Sequence, residues 1–153
     1  MLISRPRTHD DCVALVSWIA DAKALYLFSG PVLQWPLTVQ QLIDSENAEG
    51  RSAWAVLDSH TDGLVGHFDL TVQGTYARIG RVIVAPEQRG QGLGLKLVNL
   101  AMDRAGMLGA TQVGLNVLSS NTPAIRAYQR AGFQEIPSDR ADVTAMRRSL
   151  LPA

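Results

Sequence analysis

Residues 82–94 read Val-Ile-Val-Ala-Pro-Glu-Gln-Arg-Gly-Gln-Gly-Leu-Gly. The β-branched run Val82, Ile83, Val84 stops short of Pro86. Arg89 and the alternating Gly90, Gly92 and Gly94 come next, and a helical pattern begins at once. A strand so placed delivers a loop of unobstructed backbone N–H groups to a helix start, where unpaired donors and about half a positive charge favour phosphate. Glycine lets the backbone curl inward and approach a ligand with no Cβ in the way. Loops also carry glycine for turn geometry alone, so the spacing decides. A P-loop needs Gly-x-x-x-x-Gly-Lys-Ser/Thr, but here Leu95 follows Gly94, and Lys96 is followed by Leu97 rather than a hydroxyl. A dinucleotide fingerprint needs its third glycine where this chain has Leu95 or Leu97. Both fail. The loop is suited to a diphosphate that neither motif describes.

Residues 115–133 hold a second candidate. A strand gives way to Asn121, then Pro123, then a helical segment carrying Tyr128, closed by Gly132-Phe133. A tyrosine, pKa about 10, is protonated at neutral pH and can donate to a leaving group. On the face it shares with Ala124 and Ile125, it can equally be a packing residue.

Arg89-x-x-Gly92-x-Gly94 resembles the coenzyme A pyrophosphate loop of the GNAT superfamily of N-acetyltransferases. The spacing from Asn121 to Tyr128 and on to Gly132-Phe133 resembles that superfamily's second signature. The two motifs stand in the right order, one helix and one strand apart. The resemblance covers roughly residues 64–136 and fades towards both ends. It implies an α/β (α+β) GNAT-like acyl-CoA N-acyltransferase fold: one mixed, twisted sheet of about six or seven strands, with helices on both faces. It further implies acetyl-CoA as co-substrate and direct acetyl transfer, in a ternary complex, to a small-molecule or peptide amine. The backbone of Val82, Ile83 and Val84 would pair with the pantetheine arm as a false strand. Gly90, Gln91, Gly92, Leu93, Gly94 and Leu95 would offer amides to the pyrophosphate. Arg89 either adds charge there or is a solvated loop cation. Asn121 would bond the cofactor arm, with helix capping as its other role. Tyr128 would be the general acid and contact the cofactor's sulfur. The Val84 amide would meet the charge developing on the carbonyl oxygen.

The general base departs from a common pattern. Many members carry glutamate at the position of Asn116, and asparagine cannot accept a proton. His67 and Asp69 are substitutes that share one strand face, being two residues apart; both also read as structural groups. Direct attack by a neutral amine, with water relaying the proton, needs neither. At pH 7 a lysine amine costs about 4–5 kcal/mol to deprotonate and an α-amine about 1 kcal/mol, so Asn116 predicts a weakly basic acceptor. Phe28 and Trp35, with Asn116, are the acceptor-side candidates. The aromatics Trp18, Tyr26, Phe28 and Trp35 also read as core beneath irregular loops. Cys12 lies far in sequence from both motifs, which argues against a covalent acetyl-enzyme. The alternative class is a non-catalytic acetyl-CoA-binding sensor or regulatory module; Asn116 favours it and Tyr128 opposes it.

The chain that must position these groups has 153 residues, 46% of them hydrophobic, enough for one domain over 1–153 with a real core. Fourteen basic and fourteen acidic residues cancel, leaving no footprint for nucleic acid or an anionic membrane. Lone Cys12 can form no internal disulfide. Arg5, Arg7 and Asp10 interrupt any signal-peptide apolar core, and both features predict a cytoplasmic protein. His9, His60 and His67 lack ligand spacing, so no metal is expected. A homodimer is compatible with the sequence. The pattern predicts strands over Leu2–Ser4, Ser52–Leu57, Leu64–Val72, Tyr76–Val84, Phe133–Ile136 and Val143–Ser149, and a further strand before Asn121. Helices are expected after Thr8, which with Asp11 resembles a capping box, and after Thr38, which repeats the logic with Gln41. Two more are expected from Leu93 to about Leu108, closed by Gly109, and from Asn121 or Thr122 to Gly132.

Overall fold

Local signals set the helix starts. In the computed structural model, which describes residues 1–152, the Thr8 hydroxyl accepts from the Asp11 amide at 3.3 Å and the Asp11 carboxylate accepts from the Thr8 amide at 2.8 Å. That reciprocal pair starts α1 (His9–Trp18). Ala153, the last residue of the expected domain, lies outside the described residues. Thr38 caps α3 (Val39–Ser45) through the Gln41 amide, as expected. The Gln41 side chain, however, binds back to the Gln34 and Pro36 carbonyls, so the box is only half formed. Between them lies α2 (Ala22–Ser29), capped by Asp21, a helix the sequence pattern does not announce.

Seven strands form one sheet: β1 (Leu2–Pro6), β2 (Arg51–Asp58), β3 (Leu64–Gln73), β4 (Tyr76–Val84), β5 (Gln112–Leu118), β6 (Gln134–Ile136) and β7 (Val143–Ser149). Their spatial order is β1-β2-β3-β4-β5-β7-β6, and the β4–β5 pairing is parallel. The connection between those two runs through a 3₁₀ turn at Pro86–Gln88 and α4 (Leu93–Met107); α5 (Thr122–Arg130) comes after β5.

Side-chain alternation along β3 separates the two faces. Phe68 and Leu70, fully buried, pack with Leu97, Val98 and Ala101 of α4, and Tyr128 and Ile125 of α5 join that core. Burying side chains of that size contributes about 1.5–3 kcal/mol each. His67 and Asp69 point the other way, where Phe28 of α2 meets the His67 ring with centroids 5.9 Å apart. Helices α1 to α3 close a second apolar cluster there around Cys12, Leu15 and Leu42.

The β3–β4 ladder contains one irregularity with consequences. His67 pairs with Ile83 but Asp69 pairs with Gly80, so β4 carries one extra residue between them. Arg81 sits at that bulge with φ 49°, in the left-handed region. An extra residue bends and twists its strand and re-aims the stretch beyond it. In β4 that stretch is Val82–Val84.

Candidate active site

The β4–β5 ladder consists of Tyr76–Gln112, Ala77–Val113 and Arg78–Gly114 alone. Beyond it the strands diverge around a cavity of about 950 Å³. The Ala85 amide donates to the Val65 carbonyl at 2.7 Å. Alternation along an extended strand then turns Ile83 towards β3 and leaves the N–H and C=O groups of Val82 and Val84 facing the gap. This corrects the expected trio: Val82 and Val84 present backbone groups to the gap, whereas those of Ile83 bond β3.

At the far end of β4 the glycine loop leads into α4. Gly92 is the N-cap residue with φ 72° and ψ 18°, and Gly90 has φ 80°. Such values favour glycine because an L side chain is strained there. A Cβ built at Gly90, Gly92 or Gly94 would find nothing within 4 Å. The loop therefore keeps an uncovered backbone face at a helix N-terminus, and that fits a diphosphate. Gln91 lies within the loop, and Leu93 and Leu95 lie in the first turn of α4. Gly94 also lines the cavity. Arg89 is exposed, and its Nε donates to the Val84 carbonyl at 3.1 Å, which anchors the side chain beside the loop and leaves its charge in place.

Tyr128 lines the cavity from α5, with its ring edge-on to Phe133 at 5.9 Å between centroids. Its hydroxyl bonds no protein group among the described residues, and burial pushes its pKa up. It packs and keeps a free O–H. Packing does not consume the hydroxyl. Asn121 does likewise: its Oδ1 accepts from the Ala124 amide at 3.3 Å, capping α5, while the residue lines the cavity.

The two candidate bases part company. His67 is 1% exposed, with Nδ1 at 2.9 Å from the Arg81 carbonyl and Nε2 at 3.2 Å from Arg7 Nη1. The carbonyl must accept and the guanidinium must donate, so Nδ1 carries the proton and Nε2 receives Arg7. Burial, outweighing the Arg81 carbonyl, pushes its pKa down to about 3. It has no nitrogen left to take a substrate proton, and we assign it to the scaffold. Asp69 lines the cavity, is 4% exposed and pairs with Arg81 Nε at 3.5 Å. Burial pushes its pKa up, against the pull of Arg81 and then Arg51.

On the acceptor side Phe28 lines the cavity, as expected, but Trp35 is 46% exposed and does not. Trp35 is corrected to a surface residue of the α2–α3 connection. Asn116 lines the cavity. With its amide oriented to satisfy both ends, Oδ1 accepts from the Arg78 guanidinium and Nδ2 donates to the Leu115 carbonyl at 3.3 Å. Residues that sequence reasoning missed complete this end: Arg51, Thr71, Arg78 and Arg81. Tyr26 also reaches it, accepting from Arg140 and donating to Asp142 at 3.2 Å. Alternation of Asp69, Thr71 and Gln73 signals one shared face, but nothing in the letters announces a left-handed arginine. Cys12 is 1% exposed within the α1–α3 cluster, and burial pushes its thiol pKa up.

A mixed sheet that opens between two parallel strands, above a glycine cradle, defines a GNAT-like fold. The model of the acetyltransferase (GNAT) family matches residues 16–133, and the chain belongs to that family. It is 48% identical over 50 residues to streptothricin acetyltransferase of Streptomyces lavendulae, covering 33% of this chain and 26% of that protein. It is 34% identical over 85 residues to mycothiol acetyltransferase of Clavibacter sepedonicus, covering 55% of this chain and 28% of that one. The chain thus spans little more than a quarter of either relative. Among solved structures it superimposes on spermidine N-acetyltransferase from Vibrio cholerae, in complex with CoA and spermine, with a TM-score of 0.79. That match has 20% identity and covers 97% of this chain and 95% of that one. No helix of the described residues is long and apolar enough to cross a membrane.

Proposed function

We propose that residues 1–153 act as one domain that transfers an acetyl group from acetyl-CoA to a primary amine by direct attack in a ternary complex. The observation that carries this reading is the opening between β4 and β5, where Val82, Val84 and the Tyr128 hydroxyl face a single cavity next to the glycine cradle. Val82 and Val84 hold the pantetheine arm through backbone hydrogen bonds. The loop from Arg89 to Leu95 holds the diphosphate. The Val84 amide meets the negative charge that develops on the carbonyl oxygen. Tyr128 gives its proton to the departing thiolate sulfur. The amine's proton leaves to solvent, because Asn116 cannot accept it and His67 has both nitrogens engaged. The burial of Cys12 away from the cavity supports direct transfer over an acetylated thiol.

The test is turnover of purified protein with acetyl-CoA and pooled amines, read as free thiol release. Transfer to at least one amine is expected, with kcat/KM rising along that amine's own titration. Asp69→Asn should leave the shape of that profile in place. Absence of thiol release with every amine class, while acetyl-CoA still binds, would make the protein a sensor. Collapse of activity in Asp69→Asn with the fold preserved would make Asp69 the base. A homodimer and a cytoplasmic location remain part of the proposal; sedimentation and localisation of the tagged protein check them.

A further inference from the structure

Arginines cluster at the acceptor end of the cavity. Cross-strand pairing puts Arg51 of β2, Thr71 of β3 and Arg78 of β4 in one row. Residues opposite one another in antiparallel strands point to the same face, so the Thr71 hydroxyl stands between two guanidinium groups about 10 Å apart at Cα, two strand spacings. All three line the cavity, as do Asp69 and Arg81 one row further on. Asp69 is already paired with Arg81. Among the described residues neither Arg51 nor Arg78 has a carboxylate partner: the ion pairs are Arg5–Asp11, Arg7–Glu46, Arg81–Asp69 and Arg140–Asp142. Arg78 meets only the neutral amide of Asn116. Arg51 Nε is buried with no hydrogen-bond partner at all. A buried donor left open in this way costs free energy unless something accepts from it.

The diphosphate is not that acceptor. Arg78 lies six residues from Val84 along β4, about 20 Å at strand rise, and the glycine loop lies beyond. The row sits instead on the face of β3 that carries Asp69, about two residues from it.

Resting on the reading of the cavity as an acetyl-transfer site, we propose that the acceptor is an amine that also carries a carboxylate, and that Arg51, Thr71 and Arg78 hold that carboxylate. Two planar guanidinium forks and a hydroxyl match its oxygens, and charge-assisted bonds of this kind are about twice as strong as neutral ones. Asparagine at position 116 belongs to the same design: it holds Arg78 in place without cancelling its charge, as a glutamate would. A polyamine would bring like charge against two arginines that have no carboxylate in contact, so polyamines are rejected. Val84, whose amide takes the acetyl oxygen, lies about 20 Å along β4 from Arg78, so amine and carboxylate stand several residues apart: the carboxylate is the C-terminus of a short peptide or an acidic side chain a few residues in from its free amine.

The experiment compares short peptides that have a free C-terminus with their amides, with amidated peptides of the same length carrying an interior aspartate or glutamate, and with spermidine. Acetyl transfer is read as kcat and KM. Binding in the presence of CoA is read separately by ligand-observed NMR with the pools of peptide acids and of peptide amides. Carboxylate-bearing amines should exceed their neutral counterparts at least tenfold in kcat/KM, chiefly through KM. Arg51→Gln, Arg78→Gln and Thr71→Val should each bring that ratio towards one, and Arg78→Lys should restore part of it. If the free acids win, the source is a peptide C-terminus; if only the peptides with an interior acid do, it is a side chain. Equal turnover of acids and amides, preference for spermidine, or a ratio untouched by the arginine variants overturns the proposal while leaving acetyl transfer standing. Arginine-dependent binding of the acids without transfer to any amine leaves the carboxylate site standing and removes the acetyltransferase reading.

Discussion

At the scale of single residues, Tyr128 and His67 show opposite uses of burial. Burial holds the Tyr128 hydroxyl protonated while its ring leans on Phe133. Tyr128→Phe keeps the ring and removes only the proton donor, so kcat should fall by about 10²–10⁴-fold with little change in acetyl-CoA affinity or melting temperature. Near-full turnover with chemistry rate-limiting would reduce Tyr128 to a packing residue. Burial drives His67 the other way, to a folded pKa of about 3. The unfolded chain, with a histidine pKa near 6.5, takes up the proton first as pH falls. The stability associated with neutral His67 is therefore complete above about pH 6.5 and is lost progressively as pH falls towards 3, with a slope approaching about 1.36 kcal/mol per pH unit. Asp69, whose folded pKa is raised, contributes with the opposite slope. Subtracting the denaturation profile of His67→Gln isolates the histidine, and parallel profiles for the two proteins would contradict its buried neutral state. The placement of Asn121 as the cap of α5 and of Tyr128 within it was legible because both belong to one local segment. The Arg7–His67–Arg81 relay was not, because its members come from the β1–α1 connection, β3 and β4 and meet only after the sheet has formed.

At the scale of elements, strands and caps were readable where one period or one side-chain bond decides. β4 and β7 match their expected bounds, and the Thr8–Asp11 box is present. Helix α2 was not readable: it is short and flanked by irregular, proline-containing chain, so little periodicity accumulates. The close approach of α4 to the sheet was equally silent. A Cβ at Gly66 would come within 2.7 Å of Leu97 Cδ1 and 2.8 Å of the Ile83 carbonyl oxygen. Leucine can rotate, but the strand backbone next to the bulge cannot move without disturbing the pairing. Gly66→Ala should therefore cost about 1–3 kcal/mol in chemical denaturation, in the manner of an overpacked core. A loss below about 0.5 kcal/mol would mean that β3 and β4 part easily there.

At the scale of the whole molecule, binding and folding are linked through the glycine loop. A ligand that binds only the native state at 100 times its Kd stabilises it by about 2.7 kcal/mol. Acetyl-CoA should thus raise the melting temperature by roughly 5–11 °C for a chain of this size. Gly92→Val, which forces a branched side chain into φ 72° at the helix start, should abolish that shift. An undiminished shift in a folded variant would detach the loop from cofactor binding. The family and the chain order of strand, glycine loop, helix, strand and helix were visible in two short motifs; the charge of the acceptor end was not, since over the whole chain the charges cancel. The bulge at Arg81 leaves one last implication, and it is a matter of parity. The chain reaches the cradle an odd number of positions late, so the segment before Arg81 and the segment after it keep different time against β3. Were that residue excised, either Tyr76 and Arg78 would turn into the oily side beneath α4, or Val82 and Val84 would aim their amides at β3 and leave the gap mute. A single supernumerary residue lets one ribbon serve two clients facing different ways.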